Sequence, residues 1–311
     1  MSRTLTLALA ALALAPGARA EQGAAPPVFG ADLDLVNLTV TVVDKNDRPV
    51  TDLSAADFVV REDGRPQKLQ LFARALEAGE RDVLALDLGL LLDTSESMLS
   101  ELKLSQEAAL RFLDAVPRAR DLITVFFDQD IRLSRYDSES QQGLIERIVD
   151  SRGGGTTALY DAIAVYLSRV QDASGRKVLV LFTDGEDSVS RLSRGEALDL
   201  ARSSGVTIYS IGFTGGFSPG SQREMSSRMF LVQLAELTGG RVFNPHTSKD
   251  LPSIYQRILD ELAGQYVIGF ASDGRADGRY RKLKVELKRK DLKVRHREGY
   301  YAPAGAIATR P

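Results

Sequence analysis

The stretch VLALDLGLLLDTSESM (83–98) decides the fold. Its first ten residues are almost continuously apolar, as in a strand buried on both faces, and it then stops in acids and hydroxyls at Asp93-Thr94-Ser95-Glu96-Ser97. ITVFF (123–127), KVLVLF (177–182) and VTIYSIGF (206–213) repeat that apolar rhythm. Helical segments are expected between and after them at about 100–116, 141–149, 157–172, 193–203, 227–238 and 248–263, several with an apolar stripe such as Ala109, Phe112, Leu113, Val116. Strand and helix alternating through 82–263 predict an α/β domain, a doubly wound, mostly parallel sheet with helices on both faces.

Outward from this centre the rhythm changes. Val36, Leu38, Val40 and Val42 alternate with polar residues, Phe58-Val59-Val60 follows, and Asp63-Gly64 marks a turn before Leu69-Gln70-Leu71-Phe72. Residues 33–73 therefore read as three or four antiparallel strands. At the other end Tyr266–Phe270 reads as a strand, Leu283, Val285 and Leu287 alternate with charged residues, and a hairpin turn is expected near Lys290-Asp291. Neither block is large enough to bury both faces. The expectation is a small antiparallel β-domain built from 31–75 and 266–303, with the α/β domain (80–265) inserted and a tail at 304–311.

MSRTLTLALAALALAPGARA (1–20) has Arg3, an apolar run too short to span a bilayer and a small-residue end, the pattern of a cleaved export signal. Residues 21–30 read as a linker. The chain is thus expected to be exported, periplasmic or secreted, with no transmembrane segment once the signal is removed. Of 311 residues none is Cys, which excludes disulfides, zinc–thiolate sites, iron–sulfur clusters and thiol nucleophiles. His246 and His296 are the only histidines, so a multi-His metal centre is nearly excluded. The net charge of −2 gives no nucleic-acid footprint.

In an open α/β sheet, ligands bind outside the carboxyl ends of the strands. There the chain places Asp93-Thr94-Ser95-Glu96-Ser97, then Gly153-Gly154-Gly155-Thr156-Thr157 ahead of a helix, then Thr183-Asp184-Gly185-Glu186-Asp187. Hydroxyls and carboxylates of this kind suit a hard divalent cation such as Mg²⁺ or Mn²⁺ more than Zn²⁺. Capped helices and hydrated loop acids would explain any one loop alone; three loops in one order favour a metal.

DTSES, GGTTALYDAI and FTDGED, in that order, resemble the three loops of a von Willebrand factor type A domain over about 82–265, and the flanks resemble secreted bacterial proteins related to that family. The resemblance implies a metal-ion-dependent adhesion site with Asp93, Ser95, Ser97, Thr157 and Asp184 as ligands, Thr156 being the alternative to Thr157. The bound ion would be divalent (Mg²⁺, or Mn²⁺ or Ca²⁺). It also implies a non-catalytic role in adhesion or interaction, with a protein ligand held through an acidic residue that completes the metal shell. Glu96, Glu186 and Asp187 stand at the rim, expected mainly as hydrated acids.

Two other classes compete. A haloacid-dehalogenase-like, Mg-dependent phosphohydrolase would need a second acid where this chain has Ser95, a P-loop would need Gly-Lys-Ser/Thr where Gly155 precedes Thr156, and a Ser–His–acid hydrolase would need a nearby His. A structural envelope scaffold would use the basic stretch from Arg275 to Arg297, where eleven Lys/Arg face Asp277, Glu286 and Asp291. Its plain reading is a solvated hairpin face, its sharper one a docking face for an acidic partner or an anionic envelope surface. The Gly/Ser-rich segment 214–228 is left without a role.

Overall fold

The computed structural model describes residues 35–75, 85–116, 119–136, 141–171, 175–213, 218, 220–272 and 277–303. The expected signal, linker and tail lie outside them, as do Arg275 and residues 214–217 and 219. The alternation that begins near Val36 forms β1 (Leu35–Val43), followed by β2 (Phe58–Glu62), β3 (Arg65–Gln67) and β4 (Leu69–Arg74). β2 and β3 form a hairpin about Asp63-Gly64, whose φ angles of 47° and 81° give the left-handed two-residue turn that matches strand twist.

The apolar runs form β5 (Leu86–Asp93), β6 (Asp121–Phe127), β8 (Arg176–Thr183) and β9 (Thr207–Gly212), and β7 (Ile131–Tyr136) and β10 (Arg241–Phe243) complete the sheet. Its order is β10-β9-β8-β5-β6-β7, parallel except for the edge strand β7. α1 (Leu102–Ala115), α2 (Gln141–Asp150) and α6 (Leu251–Ala263) bury Phe112, Ile148 and Ile258 against one face. α3 (Leu159–Arg169), α4 (Arg194–Ser204) and α5 (Gln222–Thr238) bury Ile163, Ala197 and Phe230 against the other. α3 comes so close to β5 that a Cβ at Gly89 would stand 2.2 Å from the Tyr166 ring. α5 begins five residues earlier than the sequence suggests, because the Ser221 hydroxyl accepts the Glu224 N–H and caps it.

The chain ends join as expected. β11 (Tyr266–Ala271) lies antiparallel between β1 and β4, while β12 (Tyr280–Leu287) lies between β2 and β14 (Gly299–Tyr301). Two four-stranded sheets result, β13-β1-β11-β4 and β14-β12-β2-β3, with β13 spanning Lys293–Arg295. They enclose Leu38, Val40, Phe58, Ile268, Phe270 and Leu283, a core neither terminal block could close alone.

The expected hairpin near Lys290-Asp291 does not form. Both edges of β12 are already occupied by β2 and β14, so 288–292 crosses to the other sheet, where β13 pairs with β1 and Val294 packs on the shared core. The basic stretch is accordingly dispersed and much of it is paired internally: Arg281 with Asp277, Lys284 with Glu286, Arg289 with Asp52 and Arg295 with Glu261.

The sandwich is fastened to the α/β layer through buried charge. Glu261 of α6, 1% exposed, lies 2.5 Å from Arg295 of β13 and 3.4 Å from Arg241 of β10, which in turn reaches Asp47 beyond β1. The described residues fall within one compact unit.

Candidate functional site

β5 and β8 are parallel neighbours with Leu92 opposite Phe182, so Asp93 and Thr183 leave the sheet side by side. The Thr183 hydroxyl donates to Asp93 Oδ2 at 2.6 Å, and the Ser95 N–H donates to Oδ1 at 3.0 Å. This tight turn brings the Ser95 and Ser97 hydroxyls within 3.0 Å of each other, Ser95 fully buried and Ser97 half-buried. The 153–157 loop is bound to the first by Gly154 N–H to Thr94 O and Glu96 N–H to Gly155 O, both 2.9 Å. Gly155 holds φ at +77°, a conformation costly for other residues. The third loop closes over Thr157, whose carbonyl accepts the Ser188 and Val189 N–H groups.

The doubled threonine separates here. Thr157 is 3% exposed and its hydroxyl has no hydrogen-bond partner among the described residues, whereas Thr156 is exposed and faces away into a groove. Asp184, 2% exposed, accepts the Glu186 N–H at 2.8 Å through Oδ1, while its buried Oδ2 has no hydrogen-bond partner among the described residues. Burial, and then the neighbouring Asp184, push the Asp93 carboxyl up to about 7. Burial likewise raises Asp184, although the Glu186 N–H and the nearby Ser97 hydroxyl oppose the rise. The loops thus converge on two adjacent buried carboxylates, one with an orphan oxygen, and no cationic side chain among the described residues bonds to either. A divalent cation fits that donor set: it would neutralise both acids and give Asp184 Oδ2 a partner. Among the described residues no three His, Cys, Asp or Glu cluster, so hydroxyls must supply the rest, as a hard ion tolerates.

The rim acids go elsewhere. Glu96 is exposed, Glu186 is ion-paired with Arg223 of α5, and Asp187 accepts the Tyr160 N–H at the start of α3. His246 is exposed on the surface. His296 belongs to the sandwich, where its Nε2 accepts the Val285 N–H at 3.1 Å and burial lowers its pKa. Neither serves Ser95 or Ser97 as a base.

Sequence reading placed Thr183 at a strand end without giving it a role, and it missed Asp128. Thr183 orients Asp93, and Asp128, at the end of β6, bonds to Arg132 and to the Thr94 hydroxyl while its carbonyl accepts the Ala158 N–H at the head of α3. Burial alone would raise the Asp128 carboxyl, but Arg132 and the Asp130 N–H hold it below its ordinary value. Its place at a strand end was a usable signal.

The model of the von Willebrand factor type A domain matches residues 87–257. The chain belongs to that family. This von Willebrand factor type A protein is 25% identical over 158 residues to an uncharacterized protein of Borreliella burgdorferi, a match covering 47% of this chain and 42% of that one. Among solved structures it is similar to a von Willebrand factor type A protein from Catenulispora acidiphila (12% identity, TM-score 0.47, covering 86% of this chain and 73% of that one). It is also similar to BatB from Bacteroides thetaiotaomicron (12%, TM-score 0.44, 56% and 97%) and to proximal thread matrix protein 1 of the mussel byssus, described with a zinc-occupied MIDAS motif (20%, TM-score 0.45, 61% and 48%). No helix among the described residues is long and apolar enough to cross a membrane.

Proposed function

We propose that this chain is an exported, non-catalytic protein-binding module that grips an acidic side chain of its partner through a divalent cation, Mg²⁺ or Mn²⁺, held by Asp93, Ser95, Ser97, Thr157 and Asp184. The observation that carries this reading is the pair of buried, adjacent carboxylates with Asp184 Oδ2 lacking a hydrogen-bond partner among the described residues. When bound, the cation supplies an electrophilic position open to a ligand carboxylate. The chain's own part is orientation: Thr183 and the Ser95 N–H fix Asp93, the Glu186 N–H fixes Asp184, and Ser188 and Val189 anchor the Thr157 backbone. Export rests on the 1–20 segment alone. The phosphohydrolase reading gains no support, since Ser95 is buried and hydrogen-bonded where a second acid would be required.

The test is thermal unfolding with and without Mg²⁺ or Mn²⁺. An ion at a hundred times its Kd should stabilise the protein by about 2.7 kcal/mol, and the Asp93→Ala, Ser95→Ala double variant should not respond. An equal response in both proteins would reject these ligands.

A further inference from the structure

The outer face of α5 carries Gln222, Met225, Met229, Val232 and Glu236, spaced alternately three and four residues apart in one line along the helix. All five are exposed, and the three apolar ones, Met225, Met229 and Val232, are 62%, 54% and 42% exposed. We propose that this stripe pairs with the same stripe of a second copy of the chain, the two α5 helices running antiparallel about a two-fold axis at Met229.

Three observations carry it. First, the spacing is that of a helix–helix seam. Alternating steps of three and four keep a line of side chains facing a second helix, and here the line is apolar at its three central positions and polar at both ends. The helix does not need this line for its own domain: Phe230, Leu231 and Leu234 already bury its inner side, where it packs against α4, β9 and β10. Pairing would remove the three large apolar side chains from water.

Second, the ends of the stripe complement each other when the helices run in opposite directions. Glu236 lies in the last turn of α5, at the negative end of the helix dipole, and forms no ion pair among the described residues. Arg223 lies in the first turn, at the positive end. Each charge is thus at the unfavourable end of its own helix. With the axis at Met229, Gln222 of one copy faces Glu236 of the other. Each Glu236 then meets the N-terminal end of the opposite helix, where the Gln222 amide and the Arg223 guanidinium, 76% exposed beside Glu186, can donate to it. A parallel pair would instead set Glu236 against Glu236.

Third, the flanks admit the approach. On one side Ser226 and Gln233 are neutral, and both accept hydrogen bonds from Arg194 of α4, at 3.3 and 2.9 Å. On the other side Arg228 would stand near its own counterpart across the axis, a repulsion that Glu224, 3.9 Å away on the same helix, offsets. The 17 residues of α5 span about 25 Å, a small interface, so the dimer is a weak and reversible one.

The experiment is sedimentation velocity on the full chain from about 5 to about 500 μM, with cross-linking through single cysteines, which is clean because the chain has none of its own. The parent should pass from monomer to dimer across this range, equally in Mg²⁺ and in EDTA. Met229→Glu should weaken the dimer at least about tenfold while keeping the Mg²⁺-induced rise in thermal stability, which separates this surface from the metal reading. Glu236→Arg should weaken it severalfold, and adding Gln222→Glu should restore it. A short bis-maleimide should join two Met229→Cys chains, and should join Gln222→Cys to Glu236→Cys in a mixture. It should not join Gln222→Cys to itself, since those positions would lie about 21 Å apart along the seam. A chain that stays monomeric throughout, a dimer that Met229→Glu leaves unchanged or that EDTA abolishes, or Gln222→Cys joined to itself would each overturn the proposal.

Discussion

The two ends of β5 carry the same residue in opposite circumstances. Asp87 at its start and Asp93 at its end are 2% and 0% exposed, and both accept hydrogen bonds. Asp87 is clasped by Arg120, with Nε at 2.9 Å and Nη2 at 2.5 Å, so the protein neutralises its own buried charge. Among the described residues Asp93 has only neutral donors, a serine N–H and a threonine hydroxyl among them, and a second buried acid beside it. Glu261, at the seam with the sandwich, repeats the Asp87 arrangement with Arg241 and Arg295. Burial of an acid is therefore not what distinguishes the site. The distinction is that no cationic side chain among the described residues bonds to Asp93.

That contrast predicts opposite responses to mutation. Arg120→Leu leaves Asp87 buried without its cation and should destabilise the protein by about 3 kcal/mol in urea unfolding, a loss that Mg²⁺ does not specifically repair. A negligible loss would mean that Asp87 is solvated after all. Asp93→Asn should do the reverse in EDTA-treated protein at pH 8. It removes one of two adjacent buried charges and should raise stability by about 2 kcal/mol, while abolishing the metal response. Because burial raises the Asp93 pKa, its penalty belongs to pH values above the ordinary carboxylate range and the gain should fade as pH falls towards 4. Destabilisation at pH 8 would break the comparison.

The smallest expected effect lies at the seam. A fragment of 80–265 keeps the cores on both faces of the α/β sheet and should fold and retain its metal response, but it lacks Arg295 and the Asp47 that holds Arg241. Glu261→Gln should therefore cost the full chain, where Arg241 and Arg295 both face the carboxylate, about 1 kcal/mol more than the fragment, where Arg241 alone remains. An equal cost in both would show that the sandwich contributes nothing to neutralising Glu261. Residues 31–75 alone should show no amide dispersion by NMR, since β11, which joins β1 to β4, and β12, the second neighbour of β2, come only from Tyr266 onward.

The parallel strands were legible because burial on both faces leaves a continuous apolar run, and the helices because a one-sided stripe recurs at helical spacing. The start of α5 was hidden because Ser221, Gln222 and Arg223 are compatible with either a loop or a capped helix. The false hairpin at Lys290-Asp291 has a similar origin: alternation reveals that a segment is a strand without revealing its neighbour, and only the occupied edges of β12 send β13 across to β1.

For the site, the sequence alone determined which oxygen-bearing residues stand at strand ends, since local chemistry and strand limits are written in the order of residues. It named Thr157, with Thr156 as the alternative. The tertiary structure separated them, because Ser188 and Val189, some thirty residues away, bind the Thr157 backbone and turn Thr156 outward into the groove. It also decided that Asp87 finds an arginine and Asp93 does not, since a buried acid's partner is set by which chain segments the sheet brings alongside, a long-range consequence of packing that no local pattern encodes.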